Sequence, residues 1–503
     1  MVYNFCLPTT SHLSFQDYVT SSTHPSLPQS ATITRHALRL ALKTHKRLSP
    51  RERETHLQTV HNALLEYIPY LFTISRGLSG KPSTSAGEVV DITLRDELEV
   101  EWRPQYGKKI PGKRITRVRG RGIDFEIGFV LSTLGYVLAG LARTGIVRMI
   151  YSTATATTEQ RTATVQNATR WLLQAYSVHT WLASSTTTSV NEGTEDTATS
   201  SAFTELNATV QAALASLALA EATLLAILKD DAYTFACVQA RNPHDKEWMV
   251  KAPEIPKVRA SIFARLCVRS AEYAEQAAAG LTSASASAAG RKVDEDLVKY
   301  TQTLSKVSRA RACRFLGIDA EMGGKTGEGI AWLRAARGLL GLRRTGDSSS
   351  SSPGAGSQGG STLSRLRKGW AERREERKLE KSNPVTGELP RGDDAGCEEE
   401  GRVIEMLETK WTKINDTISA HIIPPSDSLL GNLPSGRDIH NTPPAYIPPC
   451  LDEDQLARLR GPPDDVEREL AGLDIEDDED SDGEPAITPG SHPSRSMTAS
   501  SYY

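Results

Sequence analysis

Residues Leu206–Ala240 read LNATVQAALASLALAEATLLAILKDDAYTFACVQA, and this stretch decides the fold class. It is rich in alanine and leucine, which predicts a long helix over Phe203–Ala240. Small residues alternate with large ones along it, so neighbouring helices can approach closely, as they do in stacked helical hairpins. The stretch therefore predicts a body of packed helices.

Helical periodicity continues on both sides of this stretch. It is clearest in the helix that starts at Pro50, where apolar residues from Leu57 to Ile74 recur at alternating steps of three and four. Ser49 and Glu52 predict a capping box at its start. No run of alternating strands precedes residue 410, so the predicted fold class is all-α. Further helices are predicted over Thr32–Leu48, Phe125–Ile150, Thr164–Leu182, Pro253–Gly280, Asp294–Leu316, Glu328–Leu342 and Gly401–Thr417.

One predicted helix contains an uncharged run, Ile127–Ala142, bounded by Glu126 and Arg143. A membrane-spanning helix needs about 20 apolar residues, and this run is shorter. We therefore predict that it lies in the core of a protein and does not cross a membrane.

Composition divides the chain into a helical body, two insertions and a tail. Hydrophobic content is 38% and aromatic content 6%, because segments rich in Ser, Thr, Gly and Pro dilute the core-forming parts. Two such segments, near 184–201 and 343–396, are predicted to be flexible insertions. Between Leu451 and Glu484 there are fifteen Asp/Glu against three Lys/Arg. Such a composition buries too little apolar surface to fold, so we predict a body over 1–450 and a disordered acidic tail over 451–503.

The residues that support catalysis or metal binding in other proteins form no recognisable motif here. The six cysteines include no CxxC pair, which argues against a disulfide framework or a zinc site and for a reducing compartment. No HExxH or GxSxG motif is present. Gly323-Gly324-Lys325-Thr326 lacks the first glycine and the preceding strand of a phosphate-binding loop, so it predicts a turn between two helices. We expect no enzyme activity and no cofactor; a hydrolase with a site invisible in sequence remains an alternative.

The segment Lys410–His440, KWTKINDTISAHIIPPSDSLLGNLPSGRDIH, is called the strap below. It begins as the end of a helix, and Pro424-Pro425 prevent the helix from continuing. Pro434-Ser435-Gly436-Arg437 predicts a tight turn that presents one guanidinium. We interpret the strap as a rigid element that holds a partner.

Three segments in this order resemble the Bro domain family, and within it the fungal branch that acts in alkaline-pH signalling. They are FEIGFVLSTLGYVLAGL at Phe125–Leu141, GEGIAWLRAA at Gly327–Ala336, and the strap with its NDT, paired prolines and PSGRDIH. The resemblance covers Met1–Pro449 and departs from the family pattern at the two insertions. No V-shaped coiled-coil domain follows, so the larger Alix-type scaffolds are a poorer match.

The resemblance implies a curved, elongated solenoid with a tetratricopeptide-like core that binds the C-terminal amphipathic helix of an ESCRT-III filament subunit. It implies an adaptor between a pH-sensing complex at the plasma membrane and ESCRT-III, needed for proteolytic activation of a PacC-type transcription factor. The adaptor would be cytoplasmic and recruited to cortical sites of the plasma membrane or to endosomes. A general endosomal sorting adaptor of the Alix type is the alternative.

The resemblance also points to candidate partner-binding residues. Four apolar residues lie where the family's helix exposes large apolar residues on its concave face, although any single one of them is more easily explained as core: Leu224, Leu225, Ile227 and Leu228. Two adjacent pairs cannot all face one way on a helix, so at least one is expected to line a groove. Arg437 could pair with a carboxylate of the partner or brace the strap.

A basic segment, Pro104–Gly122, is predicted to be an exposed loop. It could contact an anionic membrane, or it could simply be solvated. Nucleic acid is disfavoured, because Tyr106 is the only aromatic residue in the segment. The candidate membrane contacts are Lys108, Lys109, Lys113, Arg114, Arg117, Arg119 and Arg121.

Overall fold

The computed structural model of the protein describes residues 2–83, 87–104, 117–151, 157–190, 204–239, 257–287, 293–342 and 394–461. Over these residues the chain is largely helical, with short strands confined to its N-terminal part.

The N-terminal part combines a helical hairpin with two small antiparallel sheets. It contains β1 (Thr9–Thr10), α1 (Phe15–Tyr18), β2 (Val19–Ser21), α2 (Leu27–Arg47), α3 (Pro50–Leu78), β3 (Ile92–Leu94), β4 (Glu99–Arg103) and β5 (Val118–Arg121). One sheet has the order β1-β4-β5 and the other pairs β2 with β3. The Ser49 backbone N–H donates to the Glu52 carboxylate at 3.0 Å, so the capping box forms as predicted. The strands were not predicted, because such short segments carry too little alternation to recognise.

The rest of the body is a stack of helices. It contains α4 (Ile123–Tyr151), α5 (Thr158–Val190), a 3-10 turn (Thr204–Leu206), α6 (Ala208–Leu228), α7 (Ala232–Gln239), α8 (Lys257–Ser287), α9 (Glu295–Met322), α10 (Thr326–Leu340) and α11 (Cys397–Ile414). The long helices pack in chain order: α4 on α5, α5 on α6, α6 on α8, α8 on α9 and α9 on α10. Successive packed hairpins of this kind make an α-solenoid, which confirms the predicted all-α fold class.

Small residues allow the close helix contacts that the opening stretch predicts. A Cβ atom added to Gly280 of α8 would lie 3.0 Å from the Cβ of Ala213 in α6. The same holds between α9 and α10, where a Cβ on Gly317 would lie 3.0 Å from the carbonyl oxygen of Gly329. Gly324, with φ of 78°, makes the predicted turn between these two helices.

Among the described residues, two helices are long and apolar enough to cross a membrane, Ile123–Ile150 and Ala208–Leu228. Their most apolar windows are 89% and 78% buried inside the protein. This burial agrees with the prediction that Ile127–Ala142 is a core helix.

A buried ionic cluster fixes the last core helix. The Arg314 guanidinium of α9 binds the Asp231 carboxylate at 2.6 Å and the Glu400 carboxylate of α11 at 2.6 Å, and Arg311 also reaches Glu400, at 2.9 Å. All four side chains are almost fully buried. Removing Glu400 would leave Arg311 without its ion-pair partner, and removing Arg314 would do the same to Asp231. The cluster therefore holds α11, from which the strap departs, against α7 and α9.

Two boundaries differ from the prediction. Helix α5 extends to Val190, so the segment from Ser184 to Val190 is helical and is not part of a linker. Leu451, Leu456 and Leu459 are buried in the N-terminal core, so the chain is packed through Gly461 and the body does not end at 450. The acidic sequence misled the prediction because the short helix Glu453–Leu459 places its acids on the exposed side. Positions 462–503 and most of 343–396 lie outside the described residues.

Candidate partner-binding site

The strap starts with a tightly fixed turn. After α11, a short π-helical segment covers Asn415–Ser419, and Ala420 adopts a left-handed conformation with φ of 47°. The Asn415 side chain donates to the carbonyl of His421 at 3.0 Å and accepts from its backbone N–H at 3.0 Å. These two bonds reverse the chain, which explains why the asparagine of the NDT sequence is needed here.

The first glycine of the GEGIAWL sequence serves the strap as well. A Cβ atom at Gly327, in the first turn of α10, would overlap the carbonyl oxygen of Ile422. Only glycine therefore lets the strap lie this close to α10. Two of the segments that carry the family resemblance are thus in direct contact.

The PSGRDIH sequence docks on helix α8. A Cβ on Gly436 would lie 2.9 Å from the Cα of Arg269, so the strap lies directly on the helix backbone. Asp438 accepts from Nε of Arg269 at 2.7 Å and from the Tyr273 hydroxyl at 2.6 Å. These hydrogen bonds, Arg269 first, lower the pKa of the Asp438 carboxyl. Asp438 is the anchor of the strap, and the sequence analysis missed it because its partners are far away along the chain.

Arg437 contributes to this contact through its backbone. Its N–H donates to the Arg265 carbonyl at 3.2 Å, and Arg265 Nε donates to the Ser435 carbonyl at 3.2 Å. The Arg437 side chain is exposed, and no described residue forms an ion pair or hydrogen bond with its guanidinium. The bracing role therefore belongs to the main chain and to Asp438.

The chain then crosses the neighbouring helices one after another. The His440 imidazole lies beside the backbone of Ala222 in α6, and burial lowers the pKa of this imidazole. Past the strap, the Ser177 hydroxyl of α5 donates to the Pro444 carbonyl at 2.8 Å, and Trp181 meets Tyr446 edge to face. The strap and its continuation thus bind α8, α6 and α5 on one face of the stack.

The four apolar candidates on α6 are all core. Leu224, Leu225, Ile227 and Leu228 are 4%, 1%, 0% and 1% exposed. The expectation that at least one lines an open groove is therefore wrong. These residues do lie on different sides of α6, as the helical spacing predicts, but α6 is covered on several sides. Leu224 and Ile227 belong to one apolar cluster, and Leu225 and Leu228 belong to another.

The outward side of α6 carries mostly small residues, at positions separated by three, four or seven residues. We call these residues the α6 stripe, and all of them are exposed or half-buried. The stripe lies on α6 beside the site where His440 contacts the helix. Its members are Thr209, Ala212, Ser216, Leu219 and Ala226.

The basic segment is only partly described. Arg117 and Arg119 approach Glu101, and Arg121 lies 3.3 Å from Glu99, so these three cations pair with the acids of strand β4. Such pairing reduces the charge that they would present to a membrane. Lys108, Lys109, Lys113 and Arg114 lie outside the described residues.

Within the described ranges, no group of three or more His, Cys, Asp or Glu side chains is arranged to hold a metal ion. The surface described above offers groups that make non-covalent contacts, namely apolar side chains, main-chain hydrogen-bonding groups and one exposed guanidinium.

Comparison with solved structures defines the class of protein. The fold is similar to that of ALIX in complex with the SIVmac239 PYKEVTEDL late domain, with a TM-score of 0.52 at 13% identity over 92% of this chain and 51% of that one. An ALIX BRO1 CHMP4C complex gives a TM-score of 0.47 at 13% identity, covering 89% of this chain and 96% of that one. The chain has the all-α fold of the Bro domain class.

Sequence relatives narrow the class to a family. No protein-family model matches the chain. The pH-response regulator protein palC of Emericella nidulans is 52% identical over 524 residues, which covers 100% of both chains. The protein of the same name from Cryptococcus neoformans is 30% identical over 157 residues, 31% of this chain and 27% of its own. The chain belongs to the palC family of pH-response regulators, which confirms the resemblance to the fungal pH-signalling branch of Bro domain proteins.

Proposed function

We propose that this protein is a non-enzymatic adaptor of the alkaline ambient-pH response, required for proteolytic activation of a PacC-type transcription factor. The identity of 52% to the Emericella nidulans pH-response regulator over its full length is the observation that carries this proposal. The adaptor works in the cytoplasm and is recruited to cortical sites of the plasma membrane, through the pH-sensing complex, or to endosomes.

Its direct partner in this proposal is the C-terminal amphipathic helix of an ESCRT-III filament subunit. An amphipathic helix places apolar anchors at i, i+3, i+4 and i+7. The apolar members of the α6 stripe, Ala212, Leu219 and Ala226, recur every seven residues and so can meet the anchors at i and i+7. Leu219 is its largest apolar member. On the core side of the same helix lie four buried residues, Leu224, Leu225, Ile227 and Leu228. They do not contact the partner, and they affect binding by holding α6 in position.

Arg437 adds a charged contact to the proposed site. Its guanidinium is exposed next to the strap and has no acidic partner among the residues that the structure describes. A carboxylate on the polar side of the incoming helix would form a charge-assisted hydrogen bond with it. Loss of binding in Arg437→Ala, with an unchanged melting temperature, would support this role; a lowered melting temperature would assign the side chain to bracing.

A pull-down with the isolated ESCRT-III C-terminal peptide tests the docking surface. We expect Leu219→Asp to abolish capture and to leave thermal unfolding unchanged, because the side chain is only half-buried. Leu65→Asp is the matched control, since Leu65 is exposed on α3, in the N-terminal part of the chain. Capture of the Leu219→Asp protein at the wild-type level would refute the proposed surface.

Growth and sorting of a deletion strain test the pathway. We expect poor growth and unprocessed transcription factor at alkaline pH, with normal vacuolar sorting. A sorting defect at neutral pH would favour the Alix-type alternative. Substrate turnover by the purified protein, together with no ESCRT-III binding, would favour a hydrolase.

Contact between the basic segment and an anionic membrane is a separate proposal. It rests on Lys108, Lys109, Lys113 and Arg114, since Arg117, Arg119 and Arg121 pair with glutamates. Sedimentation with anionic liposomes, before and after alanine substitution of these four residues, tests it. Equal sedimentation of both proteins would refute it.

A further inference from the structure

The corner between α2 and α3 is strongly basic. From Leu27 to Arg51 the chain contains six Lys/Arg and no acidic residue. We use "basic corner" for the five cations at this turn. Lys46, Arg47, Arg51 and Arg53 are exposed, and Lys43 is half-buried. This concentration of one charge on a small surface makes a strongly positive local potential.

The acids nearest to the corner are already engaged. Glu52 is held by the backbone N–H and hydroxyl of Ser49, and Glu54 lies 3.7 Å from Arg148. Arg47 and Arg51 have no ion-pair partner among the described residues. Some arginines elsewhere do have one: the exposed Arg259 lies 3.0 Å from Asp230, and the half-buried Arg309 lies 2.8 Å from Glu275.

Local helix electrostatics explain only part of the corner, since Lys46 and Arg47 lie in the last turn of α2, where the helix dipole favours cations. Arg51 and Arg53 lie in the first turn of α3, where the helix dipole disfavours cations. Arg53 has a local role, because its guanidinium donates to the Lys46 carbonyl at 2.6 Å, at the end of α2. An acid in place of Arg51 would serve α3 better, so Arg51 indicates an anionic ligand for the surface.

The chain itself supplies such a ligand. Between Asp464 and Glu484 there are twelve Asp/Glu and one Arg. This segment starts next to α2, because the Ser26 hydroxyl, at the N-cap of that helix, donates to the Gly461 carbonyl at 2.7 Å. The acidic segment is thus tethered at one end of the helix whose other end forms the basic corner.

The tether is long enough. Helix α2 has 21 residues and so is about 30 Å long at 1.5 Å per residue. The thirteen residues that follow Gly461, up to Asp474, span up to about 45 Å when extended. A charged ligand tethered at this distance has an effective concentration in the millimolar range, which favours it over ligands in solution. We propose that the acidic segment Asp464–Glu484 binds the basic corner of its own chain.

Zero-length carbodiimide cross-linking of the full-length protein tests this contact, since it joins carboxylates to lysine amines in contact. We expect links from the acidic segment to Lys43 and Lys46 at low ionic strength, and their loss at roughly 0.5 M salt, where charges are screened. Reversing two neighbouring charges, Arg47→Glu with Arg51→Glu, should reduce these links at least about fivefold.

The matched control reverses two exposed cations outside the corner, Arg170→Glu with Lys306→Glu, and should leave the links unchanged. Links from the acidic segment to Lys108, Lys109 or Lys113 instead would overturn the assignment. In a mixture of isotope-labelled and unlabelled protein, links found only between two different chains would also overturn it, because the proposed contact lies within one chain. Absence of tail links, combined with sedimentation on phosphatidylserine vesicles that needs Arg47 and Arg51, would assign the corner to a membrane.

Discussion

Removing the Asp438 carboxylate tests how the strap is held. Asp438→Ala deletes the ion pair with Arg269 and the hydrogen bond from the Tyr273 hydroxyl. The Asp438 and Arg269 side chains are 54% and 33% exposed, so this ion pair stabilises the closed strap by about 0.5–1 kcal/mol. The tyrosine bond adds about 1 kcal/mol. A total of about 1.5–2 kcal/mol corresponds to a roughly 10- to 30-fold rise in opening of this part of the strap.

Native-state hydrogen exchange measures that opening directly. The Arg437 amide donates to the Arg265 carbonyl and so reports detachment from α8. The His421 amide, which donates to the Asn415 side chain, reports the far end of the strap. We expect exchange at Arg437 to accelerate by the calculated factor and exchange at His421 to stay unchanged. Asp416→Ala removes an exposed strap carboxylate for which no partner is found among the described residues, so it should change neither rate.

The same carboxylate gives the strap a pH dependence. Hydrogen bonds lower the folded-state pKa of Asp438, so its stabilisation is present above the ordinary aspartate range and is lost as pH falls through the lowered pKa. Exchange at Arg437 should therefore accelerate in strong acid in the wild type beyond its intrinsic change, and the Asp438→Ala protein should lack this extra step. Unchanged exchange at Arg437 in Asp438→Ala, or equal acceleration at His421, would refute the reasoning.

Three further predictions concern the core and the strap turn. Leu224→Asp buries a charge in α6, so we expect it to cost about 4 kcal/mol and to lower the melting temperature by roughly 10 °C in calorimetry; an unchanged melt would contradict its burial. Gly327→Ala displaces Ile422, and we expect this to destabilise the closed strap turn by about 1–3 kcal/mol. Exchange at the His421 amide should accelerate accordingly, while the Arg437 amide stays protected. The opposite pattern would contradict the contact between Gly327 and Ile422. Burial raises the pKa of Glu221 from 4.5 to about 7, so the stability that this group contributes is fully present below pH 4.5 and falls by about 3 kcal/mol as pH rises to 7. In denaturant unfolding at several pH values, the difference in unfolding free energy between the wild type and Glu221→Gln should change by this amount over that range.

The helices were predictable because their signals are local. The capping box at Ser49, the apolar stripe that follows it and the alternation of alanine and leucine before Lys229 all lie within one helix. Each signal needs only the 3.6-residue period and the chemistry of a helix end. The same local reading failed at Leu451–Leu459, where acidic residues outnumber apolar ones although three leucines dock on the N-terminal core.

The site was less predictable because its contacts join distant parts of the chain. Asp438 meets Arg269 across 169 positions, and Gly436 must be glycine only because Arg269 lies beneath it. Periodicity showed that Leu224 and Leu225 face different ways, but not that both directions are buried. A strap rich in specific residues suggested a partner in another protein; most of those residues bind the protein's own helices.

The strap changes what a partner helix meets on this face. A partner helix would bind a fully open groove through large apolar side chains of the groove. Here the large apolar side chains of α6 are buried, and the chain near His440 lies beside the α6 stripe. A helix bound to the stripe therefore also contacts the strap, and it stabilises the closed strap if the two touch favourably. We expect saturating ESCRT-III peptide to slow exchange at the Arg437 amide, and Asp438→Ala to weaken peptide binding by no more than its own effect on the closed strap. Faster exchange in the complex would show that the partner displaces the strap, and then Asp438→Ala should strengthen binding, because coupling between two equilibria is reciprocal.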